Sequence, residues 1–335
     1  MEKSRRTLRK FLQSYKKVIC FGAGSIFRIM CYELQQMGEL QRVLAVTDRS
    51  FSKTGVINIA DISIPQITQK QAFERIRQEN GDIGILITTA AWKDVADYIK
   101  RNIEMDSYGV YSLLKIDTVF DIIMPEEKQD QLKIPALIHY CWFGKGEMSE
   151  LIQKCVESWK RYCPGYQLKL WNEDNYDVEN IAYTKAAYEQ RKWAFVSDYV
   201  RMDVVYKYGG IYLDTDVELI KCLDELRKNE GFIGTEVSGG INSGLGFGAI
   251  AGNRMVGELK KLYLKENIPA ITNMGKETEL FVQSGYQIGK GCQVINDITV
   301  YPWQVLSPKV KEDGSMHIGK HTYAIHHYDG SWLRT

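Results

Sequence analysis

The sequence predicts an α/β protein built as two domains. Three observations carry that prediction. The chain has 335 residues, which at roughly 150 residues per domain makes two. Near its start an apolar run passes through a glycine turn into a helical pattern and a second apolar run, the opening of a doubly wound parallel sheet. Far downstream a helical segment stops at Gly209-Gly210, and a short apolar run then ends in Asp214-Thr215-Asp216.

The first domain is expected over residues 1–128. Met1 to Lys17 carries Leu8, Phe11, Leu12 and Tyr15 at helical spacing, surrounded by Lys3, Arg5, Arg6, Arg9, Lys10, Lys16 and Lys17. Such a basic amphipathic helix can lie on an anionic membrane surface, which makes peripheral membrane association a partner to test. A first helix packing its stripe on its own domain is the simpler expectation. Val18 to Phe21 then leads into Gly22-Ala23-Gly24-Ser25, a helical pattern to Leu34, a second strand at Val43 to Val46 and a third at Gly84 to Thr89. Glycines at such a turn let backbone N–H groups approach a phosphate, and Asp48 stands where an acid binds a ribose hydroxyl. Phe27 fills the third small position of the glycine pattern and would crowd helix against strand. Cofactor binding and a vestigial or partner-docking fold both stay open. The polar stretch Met124 to Gln131 is the expected boundary.

The second domain, residues 132–335, opens with Ile134 to Gly144, which reads as a buried strand ending in the aromatic loop Trp142-Phe143-Gly144. Ligands of open α/β sheets bind at the carboxyl ends of strands, so Trp142 could stack on a base; a core role is the alternative. From Ala194 to Tyr208 an apolar helix bears Asp198 and Arg201 three apart, on one face. After the glycine stop, Asp214 and Asp216 lie two apart in an extended chain and point the same way. Two carboxylates facing one site repel each other unless a cation joins them, and hard oxygen ligands suit Mg²⁺ or Mn²⁺ bridged to phosphate. About one D-x-D is expected by chance in a chain of this composition. Its placement after a buried strand, beside the Asp198/Arg201 helix, is what singles it out. Gly239 to Gly248 is glycine-dense and offers Asn242 and Ser243 to sugar hydroxyls. The chain closes on His326-His327-Tyr328-Asp329-Gly330-Ser331-Trp332, dense in ligand-capable groups.

Composition narrows the function classes. Lys plus Arg number 43 and Asp plus Glu 42, a net charge of +1 that argues against nucleic acid as a partner. Hydrophobic residues make up 44%, ample for two cores, and no apolar stretch approaches the roughly 20 residues that cross a bilayer. The N-terminus lacks the pattern of a signal peptide, so a cytoplasmic location is expected, with the inner face of the membrane as the peripheral alternative. The seven cysteines are scattered with no zinc spacing and read as free thiols.

Six segments, taken together, resemble the capsular-polysaccharide type of glycosyltransferase family 32, and more distantly the clostridial toxin glucosyltransferases. They are IHYCWFG, WNEDN (Trp171 to Asn175), AFVSDYVRMD, YKYGGIYLDTDVE, INSGLGFG and IHHYDGSW, in the family's order from Ile134 to Trp332. The first domain lies outside this match and resembles the small Rossmann-like domains fused to some bacterial sugar-modifying enzymes. The resemblance implies a GT-A fold that binds a nucleotide-sugar, usually UDP-linked, and a divalent metal, Mn or Mg. It implies that Trp142 stacks on the base and that Asp198 and Arg201 contact the donor sugar. Asp214 would reach the ribose and metal-bound water, Asp216 the metal itself, and Asn242 the transferred sugar or the acceptor. His327, Asp329, Ser331 and Trp332 would close over the diphosphate, with His327 and Asp329 as further candidate metal ligands where the toxins place a Glu and a Ser. Transfer with retention of configuration to a glycan or lipid-linked acceptor is the implied reaction. Rival readings are a Mg²⁺-dependent phosphatase, a non-catalytic nucleotide-sugar-binding module and, on Gly22, Gly24 and Asp48 alone, an NAD-dependent oxidoreductase. Glu218 stands where the phosphatase motif wants Thr or Val, which counts against the first.

Overall fold

A computed structural model describes residues 2–59, 62–79, 82–103, 109–112, 122, 124, 131–264, 273–310 and 314–330, with side chains from Leu8 onward. The chain divides into two compact units, Met1–Asp121 with Gln287–Lys290, and Ile122–Tyr286 with Gly291–Thr335. The polar boundary stretch falls largely on residues 125–130, outside the described residues.

Unit 1 contains strands β1 (Lys17–Phe21), β2 (Val43–Thr47), β3 (Gly55–Ile59), β4 (Ile62–Ile67), β5 (Ile83–Ile87) and β6 (Val110–Ser112). Its helices are α1 (Glu2–Ser14), α2 (Ser25–Gln36), α3 (Gln69–Gln78) and α4 (Trp92–Asn102). The sheet order is β3-β4-β2-β1-β5-β6, parallel throughout except for the β3–β4 hairpin, so the order reverses beside β1. The β-branched runs of β1 and β5 bury Ile19, Phe21, Ile85 and Ile87 against Phe73, Ile76 and Ile99 of the helices. Thr68 and Gln71 form a reciprocal capping box that starts α3. The stripe of α1 is used inside this unit: Leu8 and Leu12 are buried, and the Phe11 ring lies 5.6 Å from that of Tyr111 on β6.

The glycine turn after β1 has a steric cause. Gly22 takes φ +110° and donates its N–H to Thr47 O at 2.8 Å, and a Cβ there would lie 2.8 Å from Thr88 O. Asp48 does not stand free: its Oδ2 accepts the Ala23 N–H at 3.2 Å, and its Oδ1 accepts the N–H and hydroxyl of Ser50. Phe27 is fully buried, so the helix takes the large side chain into its core.

Unit 2 contains β7 (Leu137–Cys141), β8 (Gln167–Trp171), β9 (Gly210–Tyr212), β10 (Val217–Leu219), β11 (Gly231–Gly234), β12 (Phe247–Ala249), β13 (Gln293–Ile295), β14 (Ile298–Tyr301) and β15 (Ala324–His326). The helices are α5 (Glu150–Tyr162), α6 (Ala182–Glu189), α7 (Trp193–Tyr208), α8 (Asp224–Arg227), α9 (Arg254–Lys261) and α10 (Asn273–Gln283). A mixed sheet in the order β13-β14-β11-β12-β9-β7-β8 forms the centre, and β10 pairs with β15 in a separate antiparallel ribbon. Ile138, Ile211, Leu213, Phe232 and Leu245 build the core with Trp159 of α5 and Val217 and Leu219 of β10. Both units are thus α/β, with parallel strand pairs in the larger sheet of each.

Candidate active site

Two elements deliver the acids. α7 stops because Gly209 takes φ +64° and Gly210 φ +104°, in the region side chains avoid. A Cβ on Gly209 would lie 2.8 Å from Ala251 N, and one on Gly210 2.6 Å from Leu137 O. Behind this stop, β9 enters the sheet beside β7 and hands the chain to Leu213 and Asp214. Asp214-Thr215-Asp216 is a turn, closed by Val217 N–H donating to Asp214 O at 3.0 Å. The extended-strand expectation for the two acids therefore gives way to a turn between β9 and β10.

β10 is fixed on two sides. From α5, Trp159 Nε1 donates to Val217 O at 2.7 Å and Ser158 Oγ accepts the Leu219 N–H at 2.9 Å. On the other side β15 pairs with it, and Val217 faces His326 in register. That pairing brings the end of the described chain onto the aspartates. His326 Nε2 lies 3.2 Å from Asp216 Oδ1, and the Asp329 N–H donates to Asp216 Oδ2 at 2.9 Å. One ligating atom each from Asp214, Asp216 and His326 lie within 4.8 Å of one another.

Arg201 ties the helix to the turn. Its guanidinium is 2.8 Å from Asp198 Oδ1 and 3.3 Å from Asp214 Oδ1, and it stacks 5.0 Å over the Tyr212 ring. The Tyr212 hydroxyl donates to the same Asp214 oxygen at 2.9 Å. Burial pushes the Asp198 carboxyl up to about 7, against the pull of Arg201. It also raises Asp214, again opposed by Arg201. For Asp216 burial acts upward too, but His326 and the Asp329 N–H outweigh it and hold the carboxyl well below the usual range. His326 is the mirror case: burial lowers it, and Asp216 with Asp214 more than reverses that.

This donor set of two carboxylates and an imidazole fits a divalent cation of the Mn²⁺ or Mg²⁺ kind, the nitrogen leaning toward Mn²⁺. His326 is buried among carboxylates, and among the described residues no hydrogen-bond partner serves its Nδ1.

Of the residues named from the sequence, Asp198, Arg201, Asp214 and Asp216 come together. Asn242 caps its own loop, accepting the Gly244 N–H at 2.9 Å and donating to Glu236 Oε1 at 2.6 Å. The loop bears on the aspartates, since a Cβ on Gly244 would lie 2.5 Å from Asp214 Oδ2. Trp142 is half-buried, its indole N–H bonded to Gly146 O at 2.6 Å. Glu173 of the WNEDN segment holds that loop by accepting the Gly144 N–H at 2.6 Å. His327 turns to Glu218, 2.8 Å away, which also pairs with Lys154. Neither His327 nor Asp329 joins the Asp214–Asp216–His326 group among the described residues; Asp329 reaches Asp216 through its backbone. Ser331 and Trp332 lie outside the described residues.

Sequence reasoning named His326 only within the ligand-dense closing run and did not single out Tyr212 or Glu277. His326 had a signal, standing beside the histidine that was chosen; only the β10–β15 register decides which of the two faces the acids. Tyr212 had one as well, two residues before Asp214 and on its side of the strand. Glu277 had none.

Residues 149–233 match the family described as "Glycosyltransferase sugar-binding region containing DXD motif", a segment that includes Asp198, Arg201, Asp214 and Asp216. Inositol phosphoceramide mannosyltransferase 3 of Schizosaccharomyces pombe is 29% identical over 143 residues, 40% of this chain and 38% of its own length. Inositol phosphoceramide mannosyltransferase 1 of the same yeast is 28% identical over 130 residues, 37% of this chain and 40% of its own. The chain thus spans about two fifths of the length of these curated relatives. A solved structure, PaToxG glycosyltransferase, overlaps 45% of this chain and 68% of its own with 15% identity and a TM-score of 0.37.

Proposed function

We propose that the protein is a metal-dependent glycosyltransferase that moves a hexose from a nucleotide-sugar to a glycan or lipid-linked acceptor, with retention of configuration. The observation that carries this reading is the meeting of Asp198 and Arg201 with Asp214, Asp216 and His326 at the exit of β9. Asp214, Asp216 and His326 would hold the ion, which when bound supplies Lewis-acid stabilisation of a nucleoside diphosphate's negative charge. Arg201 is the chain's own contribution to that charge. Held by Asp198 and by the Tyr212 ring and itself buried, it presents an oriented cation that needs little reorganisation as charge develops. Departure of a diphosphate requires little proton transfer, so the site needs no dedicated general acid. Trp142, half-buried with its indole N–H on Gly146 O, would stack on the base.

UDP is the nucleotide favoured by the family resemblance, and a growing surface or capsular polysaccharide at the cytoplasmic face of the membrane is the acceptor it favours. The relatives are named for mannosyl transfer to inositol phosphoceramide, which supports a lipid-borne acceptor and places mannose donors beside the UDP-sugars to be tested. The direct test is release of nucleoside diphosphate from a panel of nucleotide-sugars, with Mn²⁺ and without acceptor. The wild type should hydrolyse at least one donor slowly, and Asp216→Ala should lose Mn²⁺-dependent turnover by a factor of 100 or more, on the order expected for removing a centre of charge stabilisation. Near-normal turnover in that variant, with an unchanged response to Mn²⁺, would remove the mechanism.

A further inference from the structure

Glu277 on α10 is a fully buried carboxylate that the mechanism above leaves unused. Burial raises its pKa, and four partners offset the cost of its charge. Its Oε2 accepts the Ser243 N–H at 2.8 Å, its Oε1 accepts the Ser243 hydroxyl at 2.6 Å, the Tyr263 hydroxyl lies 3.4 Å from Oε1, and Arg201 contributes its positive charge. Two more residues of α10 hold the same loop. Thr278 Oγ1 accepts the Ile241 N–H at 2.9 Å, and Asn273 Nδ2 lies 3.4 Å from Asn242 Oδ1. The loop held in this way is the wall of the site. Ser243 Oγ is 3.5 Å from Arg201 Nη1, and a Cβ on the next residue, Gly244, would lie 3.1 Å from Arg201 Nη1 as well as against Asp214.

A serine hydroxyl has one proton. Given to Glu277, it leaves only lone pairs for the guanidinium, so the carboxylate sets the polarity of the contact. From this we infer that Glu277 is a positioning residue: through Ser243 it fixes Arg201 and the Asn242–Gly246 wall in the geometry that binds the nucleotide-sugar. The inference rests on the glycosyltransferase reading. Glutamine at 277 keeps the shape but has a single acceptor oxygen for the two Ser243 donors, so one of them meets an NH₂ group. Alanine at 243 removes the hydroxyl and keeps the backbone N–H on Glu277.

The test uses the full chain and the donor that the wild type hydrolyses. Ser243→Ala, Glu277→Gln and the double variant are compared for kcat and KM, thermal midpoint, and Mn²⁺ affinity from the loss of its free paramagnetic resonance signal. Ser243→Ala and Glu277→Gln should each lower kcat/KM about tenfold, with the double variant no worse than Glu277→Gln, because the two residues act as one unit. Mn²⁺ affinity should stay at the wild-type value, since neither side chain touches Asp216 or His326, and the midpoint of Ser243→Ala should stay within about two degrees. Wild-type kinetics in both single variants, losses that multiply in the double variant, or losses that track a falling midpoint would overturn the positioning role. The metal reading is judged separately. If Asp216→Ala still binds Mn²⁺ and turns over, that reading fails whatever Ser243→Ala does; if the wild type hydrolyses no donor, both fail together.

Discussion

At the scale of single residues, the site is decided by neighbours one position apart. His326 lies on Asp216 and His327 on Glu218, so the two histidines divide between the two sides of the β10–β15 ribbon. His326→Ala should weaken Mn²⁺ binding at least tenfold, while His327→Ala should leave it near the wild-type value, both read from the free Mn²⁺ resonance signal. Equal losses in the two variants would mean that the pair is shared by the ion. Trp142→Ala should weaken nucleoside diphosphate binding by about 1–3 kcal/mol in calorimetry if the indole stacks on a base. An unchanged affinity would return Trp142 to a packing role. The charged groups that meet there were legible: Asp198 and Arg201 by their helical spacing, Asp214 and Asp216 by following a glycine stop. Which histidine joins them was not, because a one-residue difference in strand register exchanges the two faces and nothing local to IHHYDG sets that register. Glu277 was illegible for another reason. One of two glutamates in the pattern NMGKETELFVQ, it looks like a solvated helix residue until the loop it anchors is known.

At the scale of elements, the end of α7 is the part most exposed to substitution. His139, buried on β7, accepts the Trp171 indole N–H on Nδ1 at 3.1 Å, and its Nε2 is 2.8 Å from Gly209 O. That pattern requires a neutral ring with its proton on Nε2, donated to the carbonyl of the stop glycine. Burial lowers the His139 pKa, Lys169 lowers it further, and the Gly209 carbonyl opposes both; the rings of Trp171 and Tyr208 enclose it. The unfolded chain therefore takes up the proton first as pH falls. The stability that the neutral ring contributes is present above its ordinary value of 6.5 and is lost progressively below it. Asp198 and His326, both raised, gain stability over the same range, so the difference in unfolding free energy between the wild type and His139→Gln should carry that loss between pH 7.5 and 5.5. Gly209→Ala should cost about 1–3 kcal/mol, from a disfavoured backbone angle and a methyl driven onto Ala251 N. The helix and its glycine stop could be read from the chain. The support behind β10 could not, since Ser158 and Trp159 act at a distance of about sixty residues in sequence, at separations of 61 and 58.

At the scale of the whole molecule, each unit has a hydrophobic cluster of its own among the described residues. The strand–glycine–helix–strand opening was visible in unit 1 because apolar runs and glycine turns are local signals. The β3–β4 hairpin was not, because Gly55–Ile59 and Ile62–Ile67 lie at the sheet edge with mixed exposure and weak patterning. Ile85→Ala empties a position at the centre of the unit 1 core and should cost that unit about 2–5 kcal/mol in denaturant unfolding, with kcat/KM for donor hydrolysis unchanged. A parallel fall in kcat/KM would make the first unit part of the catalytic apparatus.

The pairing of β10 with β15 has a consequence for biosynthesis. Asp216 is separated by 113 residues from Asp329, whose N–H it accepts, and His326 arrives with the same strand. On the ribosome, both aspartates leave the exit tunnel long before the imidazole that completes their cluster. A nascent chain thus carries its acidic pair without His326 for the whole of that interval, and any ion it captures early is held without that imidazole.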